Sequence, residues 1–282
     1  MKKRFLFALF TIFISAFLFC QSSAPKKTKP ANSTSTTRKT NNAPSKKRVQ
    51  QKTQGNAKSK QNSSNTANSK AKSKNSLWNI KSLDTARNVN YLSDFEKNVI
   101  LEMNKARTNP KQYADLYIVP RLKNFDGNIY IEKGTGNSQG KRFLTREGAA
   151  VVKECIEYMY KQTPRSPLRP SKGLTKAAKE HAESQVLTNE FGHTRTDGTN
   201  PFQNMGKYGS FMGWGENISY GMSTARSTVL QLLIDDGVSS RGHRTNLMNK
   251  TFSSAGVGFA ENKKTGKIEC VIDYAQNYVE NQ

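Results

Sequence analysis

No aspartate or glutamate occurs before Asp84, whereas residues 1–83 carry 18 lysines and arginines. The remaining 199 residues hold 27 basic and 21 acidic side chains, which is close to balance. A basic arm therefore precedes a nearly neutral body, and the net charge of +24 belongs mostly to the arm. It says little about what the globular part binds. A body of about 200 residues can bury one sizeable core without metal or disulfide staples. With three cysteines and 34% hydrophobic residues, the composition excludes a multi-span membrane protein and a disulfide-dense mini-protein.

Residues 1–24 read as an export signal. Lys2, Lys3 and Arg4 form a positive start, and Phe5 to Phe19 is an apolar run of 15 residues broken only by Thr11 and Ser15. A membrane span needs about 20 residues, so the run is short for one. The small residues Ser22, Ser23 and Ala24 follow, as cleavage requires. Cys20 opens a lipoprotein alternative, although Phe19 stands where such signals place something small. An uncleaved anchor is the third reading. All three predict a secreted or envelope-associated protein, periplasmic or extracellular. Export also permits disulfides. Beyond the signal only Cys155 and Cys270 remain, either as one bridge or as two separate buried thiols.

Residues 25–76 are Lys, Asn, Ser, Thr, Gln and Pro with almost no aliphatic side chains. Such a segment cannot bury enough apolar surface to offset its ordering entropy, so disorder is expected. Its 14 Lys/Arg suit an anionic membrane or surface polymer. A solvated spacer is the alternative. Nucleic acid is disfavoured, because no aromatic residues interleave the lysines for base stacking.

The body, residues 77–282, reads as α+β. Ser93-Asp94-Phe95-Glu96 is a capping box, and Phe95, Val99, Ile100, Met103 and Ala106 recur at helical spacing. Asn109-Pro110 starts a second short helix. A strand is expected at 128–131 and helices at 147–162 and 174–188, followed by a long loop over 189–222. A helix from Ser223 to Asp236 sets Val229, Leu233 and Asp236 at i, i+4 and i+7. The end is β: Ala255 to Ala260, a turn from Asn262 to Gly266, then Ile268 to Tyr274. Helices precede strands instead of alternating with them, which argues against a doubly wound sheet.

The chain has three histidines. His181 lies among alanines on a helix and reads as structural. His193, in Gly192-His193-Thr194, and His243, in Gly242-His243-Arg244, lie where an imidazole can be exposed. Gly215-Glu216-Asn217-Ile218 adds a carboxylate between glycine and core, and the helical stripe points Asp236 inward. Two imidazoles and two carboxylates meeting in a cleft would make a divalent-metal site. Spacing alone leaves open the alternative of hydrogen-bonded loop residues.

These motifs resemble the CAP superfamily, named for cysteine-rich secretory proteins, antigen 5 and pathogenesis-related proteins. The resemblance covers roughly Ser93 to Val279. It rests on Phe191-Gly192-His193-Thr194 with Gly198, then Gly215-Glu216-Asn217-Ile218, then Ser240-Arg241-Gly242-His243-Arg244-Thr245-Asn246-Leu247. Val257-Gly258-Phe259 and Ile272-Asp273-Tyr274 complete it. The resemblance implies an α-β-α sandwich with a central antiparallel sheet and a cleft. It also implies that His193, Glu216, His243 and a second acid hold Zn²⁺ or Mg²⁺ there. The family's second glutamate follows a helical tryptophan by three residues. Leu233 stands at that tryptophan position and Asp236, one methylene shorter, at the glutamate. Asp235 falls off the stripe and is the less favoured stand-in.

The first functional expectation is an exported, non-enzymatic binding or adhesion module for a lipid, glycan or protein ligand. The alternative is a metal-dependent hydrolase in the same cleft, with Glu216 as general base. A third reading has the polar tetrad merely brace the cleft. Ser239 and Ser240 lie near His243 but form no nucleophile elbow.

Overall fold

The computed structural model describes residues 77–132 and 140–281, so the expected export signal and the expected disorder of the basic arm lie outside the described residues. A short helix, α1 (Ile80–Leu83), leads to α2 (Asp94–Thr108). Ser93 caps α2 as its pattern foretells. Its Oγ accepts from Glu96 N, and Glu96 Oε2 accepts from Ser93 N at 2.7 Å. The pairing satisfies amides that a first turn leaves without helical partners. Asn109 closes α2 and caps α3 (Pro110–Tyr113), with Oδ1 accepting from Gln112 N at 3.2 Å. A π turn (Ala114–Ile118) and a 3-10 turn (Val119–Asn124) lead to a small meander. It consists of β1 (Phe125–Asp126), β2 (Ile129–Glu132) and β3 (Lys141–Leu144). Next come α4 (Gly148–Lys161), β4 (Arg169–Pro170) and α5 (Lys172–Thr188), the last capped by Ser171.

The expected loop over 189–222 is not one. It contains α6 (Pro201–Gly206), β5 (Gly209–Ser210) and β6 (Gly213–Tyr220). Glycines and the buried polar residues Glu216, Asn217 and Ser219 hide β6 from a propensity reading. A full ladder overrides that propensity: Gly213 to Tyr220 pair antiparallel with Gln276 to Glu269. Helix α7 (Ala225–Ile234) stops earlier than expected, because Asp235 adopts a left-handed conformation at φ 58° and ends it. Then follow α8 (Gly242–Leu247), β7 (Ser254–Asn262), β8 (Lys267–Gln276) and β9 (Val279–Glu280). The β7–β8 turn closes with Gly266 N donating to Asn262 O at 2.7 Å, and Gly266 takes the positive φ of 70° that suits glycine.

The main sheet has the order β4-β7-β8-β6, with β7, β8 and β6 antiparallel and β4 parallel to β7. Alternate residues of each strand face opposite layers. On one face Ile218, Ala260 and Val271 pack with Ala178, Ala182 and Val186 of α5. On the other, Val257, Cys270, Ile272 and Tyr274 join the core that includes Val99 and Met103 of α2 and Val229 and Leu233 of α7. This is the expected α-β-α sandwich.

Glycine sets how closely α5 approaches. A Cβ on Gly256 would lie 2.1 Å from the Leu174 carbonyl carbon, and one on Gly258 would lie 2.3 Å from that of Ala178. The helix backbone therefore rests directly on β7, which fixes where the loop after α5 must begin. On the opposite layer the buried Arg107 gathers the chain after α8. Its guanidinium donates to Leu247 O at 2.8 Å, Asn249 O at 2.9 Å and Phe252 O at 3.0 Å. Cys155 and Cys270 are separate buried thiols, not a bridge. Burial pushes the Cys155 thiol up to about 12.

Candidate functional site

The loop that carries His193 is pinned before it reaches the histidine. Asn189 leaves α5 in a left-handed conformation at φ 60°. Gly192 N then donates to Tyr220 Oη at 3.0 Å, and His181 Nε2 donates to Gly192 O at 3.0 Å. Gln185 also donates to that carbonyl. His181 thus has the structural role expected of it. With Gly192 held from both sides, His193 Nδ1 meets Glu216 Oε1 at 2.6 Å. The imidazole side chain is 52% exposed, while the carboxylate side chain is 2% exposed.

His243 stands in the first turn of α8 and leans on a different acid. Asp235 Oδ1 lies 2.6 Å from His243 Nδ1, and its Oδ2 accepts from His243 N at 3.0 Å and Arg244 N at 3.2 Å. Asn217 ties this element to β6. Its Nδ2 donates to His243 O at 2.9 Å, and its Oδ1 accepts from Asn246 Nδ2 at 3.0 Å. A Cβ on Gly215 would lie 3.0 Å from Asn246 Oδ1, so glycine there lets α8 settle against the strand. The four residues of Gly215-Glu216-Asn217-Ile218 thereby divide the work. Gly215 permits the close approach, Glu216 holds His193, Asn217 holds α8, and Ile218 enters the core.

Asp236 does not join them. Its Oδ2 accepts from Arg146 N and its Oδ1 from Glu147 N, both at 2.8 Å, at the start of α4. The inward phase expected for it assumed a helix running to residue 236. With α7 ending at Ile234, the buried acid is Asp235 instead. Among the described residues no group of three or more His, Cys, Asp and Glu side chains is arranged to hold a metal ion. The expected tetrad is two histidine–carboxylate pairs. Each Nδ1 is engaged by a carboxylate, so a metal would have to be met through Nε2. Carboxylate-backed imidazoles are donors of the kind a divalent ion takes, but two of them fall short of a complete ligand set.

Beneath His193 lies an acidic layer that sequence reasoning did not find. Asp273 sits opposite Glu216 in the β6–β8 register, and Glu269 lies opposite Tyr220. All three carboxyls are buried. Burial pushes Glu216 well above the ordinary carboxylate range. Burial and then the charge of Glu216 do the same to Asp273. Glu269 is pushed up to about 8 by burial. His181 falls to about 4 and His193 is also lowered, both chiefly by desolvation, so both rings are neutral near pH 7. Glu216 Oε2, Asp273 Oδ1, both Glu269 oxygens and His181 Nδ1 make no hydrogen bond in the protein, although His181 Nδ1 lies 3.6 Å from Glu216 Oε2 and Lys267 Nζ 3.7 Å from Glu269 Oε2. Each such group costs about 1–3 kcal/mol, a burden typical of a functional centre more than of a passive core. The sequence signal for Asp273 was present in Ile272-Asp273-Tyr274: an acid in the middle of an apolar strand.

Residues 100–278 match the model of the cysteine-rich secretory protein family, CAP. The uncharacterized protein YkwD of Bacillus subtilis (strain 168) is 32% identical over 96 residues, which is 34% of this chain and 35% of that protein. The chain thus spans about a third of that relative's length. Among solved structures, an outer surface protein of Borrelia burgdorferi is similar at 24% identity and a TM-score of 0.35, over 44% of this chain and 87% of that one. An extracellular protein containing an SCP domain from Bacillus anthracis str. Ames is similar at 22% identity and a TM-score of 0.33, over 45% and 38%.

Proposed function

Because the chain belongs to the cysteine-rich secretory protein family, we propose that it is an exported binding module whose ligand enters a cleft bounded by His193 and His243. The observation that carries this reading is the state of Glu216. A hydrolase using it as general base needs an ionised carboxylate within reach of water. Glu216 is buried, its carboxyl is driven toward the neutral form, and one oxygen is occupied by His193. That arrangement positions an imidazole and disfavours the ionised carboxylate that would have to take the proton.

Export rests on residues 1–24, and attachment to an anionic membrane or envelope polymer rests on the lysines of 25–76. A divalent ion would be held by His193 and His243 through Nε2, and imidazole suits Zn²⁺ better than Mg²⁺. When bound it would supply a Lewis-acid anchor for an oxygen of the ligand. The chain's own residues orient the two rings: Glu216 and Asp235 fix their Nδ1 atoms, and Asn217 holds α8 against β6.

The test is a pair of measurements on the full mature chain. It is expected to bind phosphatidylglycerol vesicles in a salt-sensitive way, and to hydrolyse p-nitrophenyl acetate and casein no faster than a His193→Ala/His243→Ala double variant. Hydrolysis clearly above that variant would overturn the binding reading in favour of the enzyme.

A further inference from the structure

The segments 198–206, 208–215 and 274–279 contain no Lys, Arg, Asp or Glu, in a chain with 45 basic and 21 acidic residues. In the fold they meet and build an aromatic shelf. Phe211 stacks on Tyr278, with centroids 6.2 Å apart and planes 12° apart. Phe202 stands edge-on to Phe211 at 5.4 Å and lies 6.4 Å from Trp214. The outer rings are open to solvent, Phe202 at 56% and Trp214 at 43%. The inner rings Phe211 and Tyr278 pack on the core formed by Leu174, Ala177, Met205 and Ala275.

Two features point to what the shelf holds. Phe202 is backed by Phe211 and in turn flanks Trp214, which limits the side-chain freedom left to be lost on binding. Strand alternation also places Trp214 on the same face of β6 as Glu216, so the shelf continues toward the His193 pair. An exposed apolar cluster of this kind marks an interaction surface. Its polar surroundings decide among partners. Gln203, whose Oε1 accepts from Asn200 N at 3.0 Å, follows Phe202 in sequence, and Asn277, whose Nδ2 lies 3.2 Å from Met212 Sδ, precedes Tyr278, so the charge-free segments carry amides where an anionic surface would need lysines. Lys207, between two of the segments, lies 3.4 Å from Glu180. Flat aromatic faces accept the C–H face of a pyranose ring, and planar amides donate to and accept from its hydroxyls.

We propose that this shelf binds a neutral glycan, with a sugar ring on Trp214 and Phe202 and the chain of sugars running toward His193. The proposal rests on the binding reading above and names its ligand class. Only two tryptophans are present and Trp78 is buried, so Trp214 is a natural fluorescence reporter. The full mature chain is titrated with cellotetraose and with the β-1,4-linked tetrasaccharide of N-acetylglucosamine. At least one should give a saturable response in the millimolar range or tighter. By calorimetry, Trp214→Ala and Phe202→Ala should each weaken it by about tenfold or more, and Leu144→Ala, at an exposed residue of β3 outside the shelf, by less than about threefold. Both shelf residues are exposed, so neither variant should unfold the protein, and unchanged melting confirms it.

No saturable response to either sugar overturns the proposal. So does sugar binding that survives both Trp214→Ala and Phe202→Ala, which would place the ligand off the shelf. Trp214-dependent binding to phosphatidylcholine vesicles in place of the sugars would assign the shelf to a lipid surface and equally overturn it. The hydrolysis assay above is independent of all three outcomes. It separates failure of the shelf from failure of the binding reading.

Discussion

His193 and His243 each meet a carboxylate through Nδ1 at 2.6 Å, but the two acids live in opposite surroundings. Asp235 is surrounded by donors: one imidazole and two backbone amides, beside the buried Arg244. Glu216 lies among other acids, with Asp273 opposite it and Glu269 further along the same strand as Asp273. The first pair is built like a helix cap, and both oxygens of its carboxylate are used. The second pair sits over a layer of desolvated carboxyls whose inner oxygens lack hydrogen bonds and meet basic groups only at a distance, Lys267 3.7 Å from Glu269 and His181 3.6 Å from Glu216. Similar local geometry therefore does not mean similar energetics. One histidine is anchored by a stabilising contact, and the other by an acid that the fold holds at some expense of stability.

This contrast can be broken through pH. Glu269 has a folded-state value of about 8 against an ordinary 4.5. A raised value means that its contribution to stability is fully present below about 4.5 and is lost as pH rises through about 8. Wild type should lose up to roughly 5 kcal/mol across that window, and Glu269→Gln should reduce the loss. Urea unfolding at several pH values checks it, and an unchanged slope in the variant would remove the acidic layer from the account.

The next effect concerns the layer that carries His193. Gly258→Ala forces a Cβ against the Ala178 backbone and should destabilise by about 1–3 kcal/mol. The nuclear magnetic resonance signals of the His193 ring should move, and those of His243, on the other layer, should stay. Smaller still is the direct comparison of the two acids. Asp235→Asn should cost about 1.5–2 kcal/mol, because a charged partner is taken from three donors. Glu216→Gln should be near neutral or stabilising, because it removes an acid from among acids. Equal losses in the two variants, measured by thermal unfolding, would mean that the pairs do not differ.

What the sequence made legible was local. Ser93 and Asn109 announce their helices because a cap is decided by residues three apart. The closing β7–β8 hairpin was visible because its apolar runs flank an unmistakable turn at Asn262 to Gly266. Strand β6 was hidden because its buried polar residues serve partners far along the chain: Asn217 reaches His243 O, and Ser219 reaches Gln231. The inward phase expected of Asp236 failed for a related reason. A helical phase carried through Asp236 assumes that the helix continues, whereas Asp235-Asp236-Gly237 ends it, with Asp235 at φ 58° and Gly237 at φ 77°. The glycine was the available signal.

The most direct test of the two-pair account is calorimetric titration with Zn²⁺ of wild type, His193→Ala, His243→Ala, Asp235→Asn and Asp236→Asn. Carboxylates that orient ligating imidazoles typically change metal affinity by about 10–100-fold when altered. Zn²⁺ should bind wild type, and either histidine variant should abolish binding. Asp235→Asn should weaken it by about tenfold or more, and Asp236→Asn should leave it within about threefold. Affinity lost with Asp236→Asn and kept with Asp235→Asn would contradict the account, because Asp236 would then be the acid that serves the cleft.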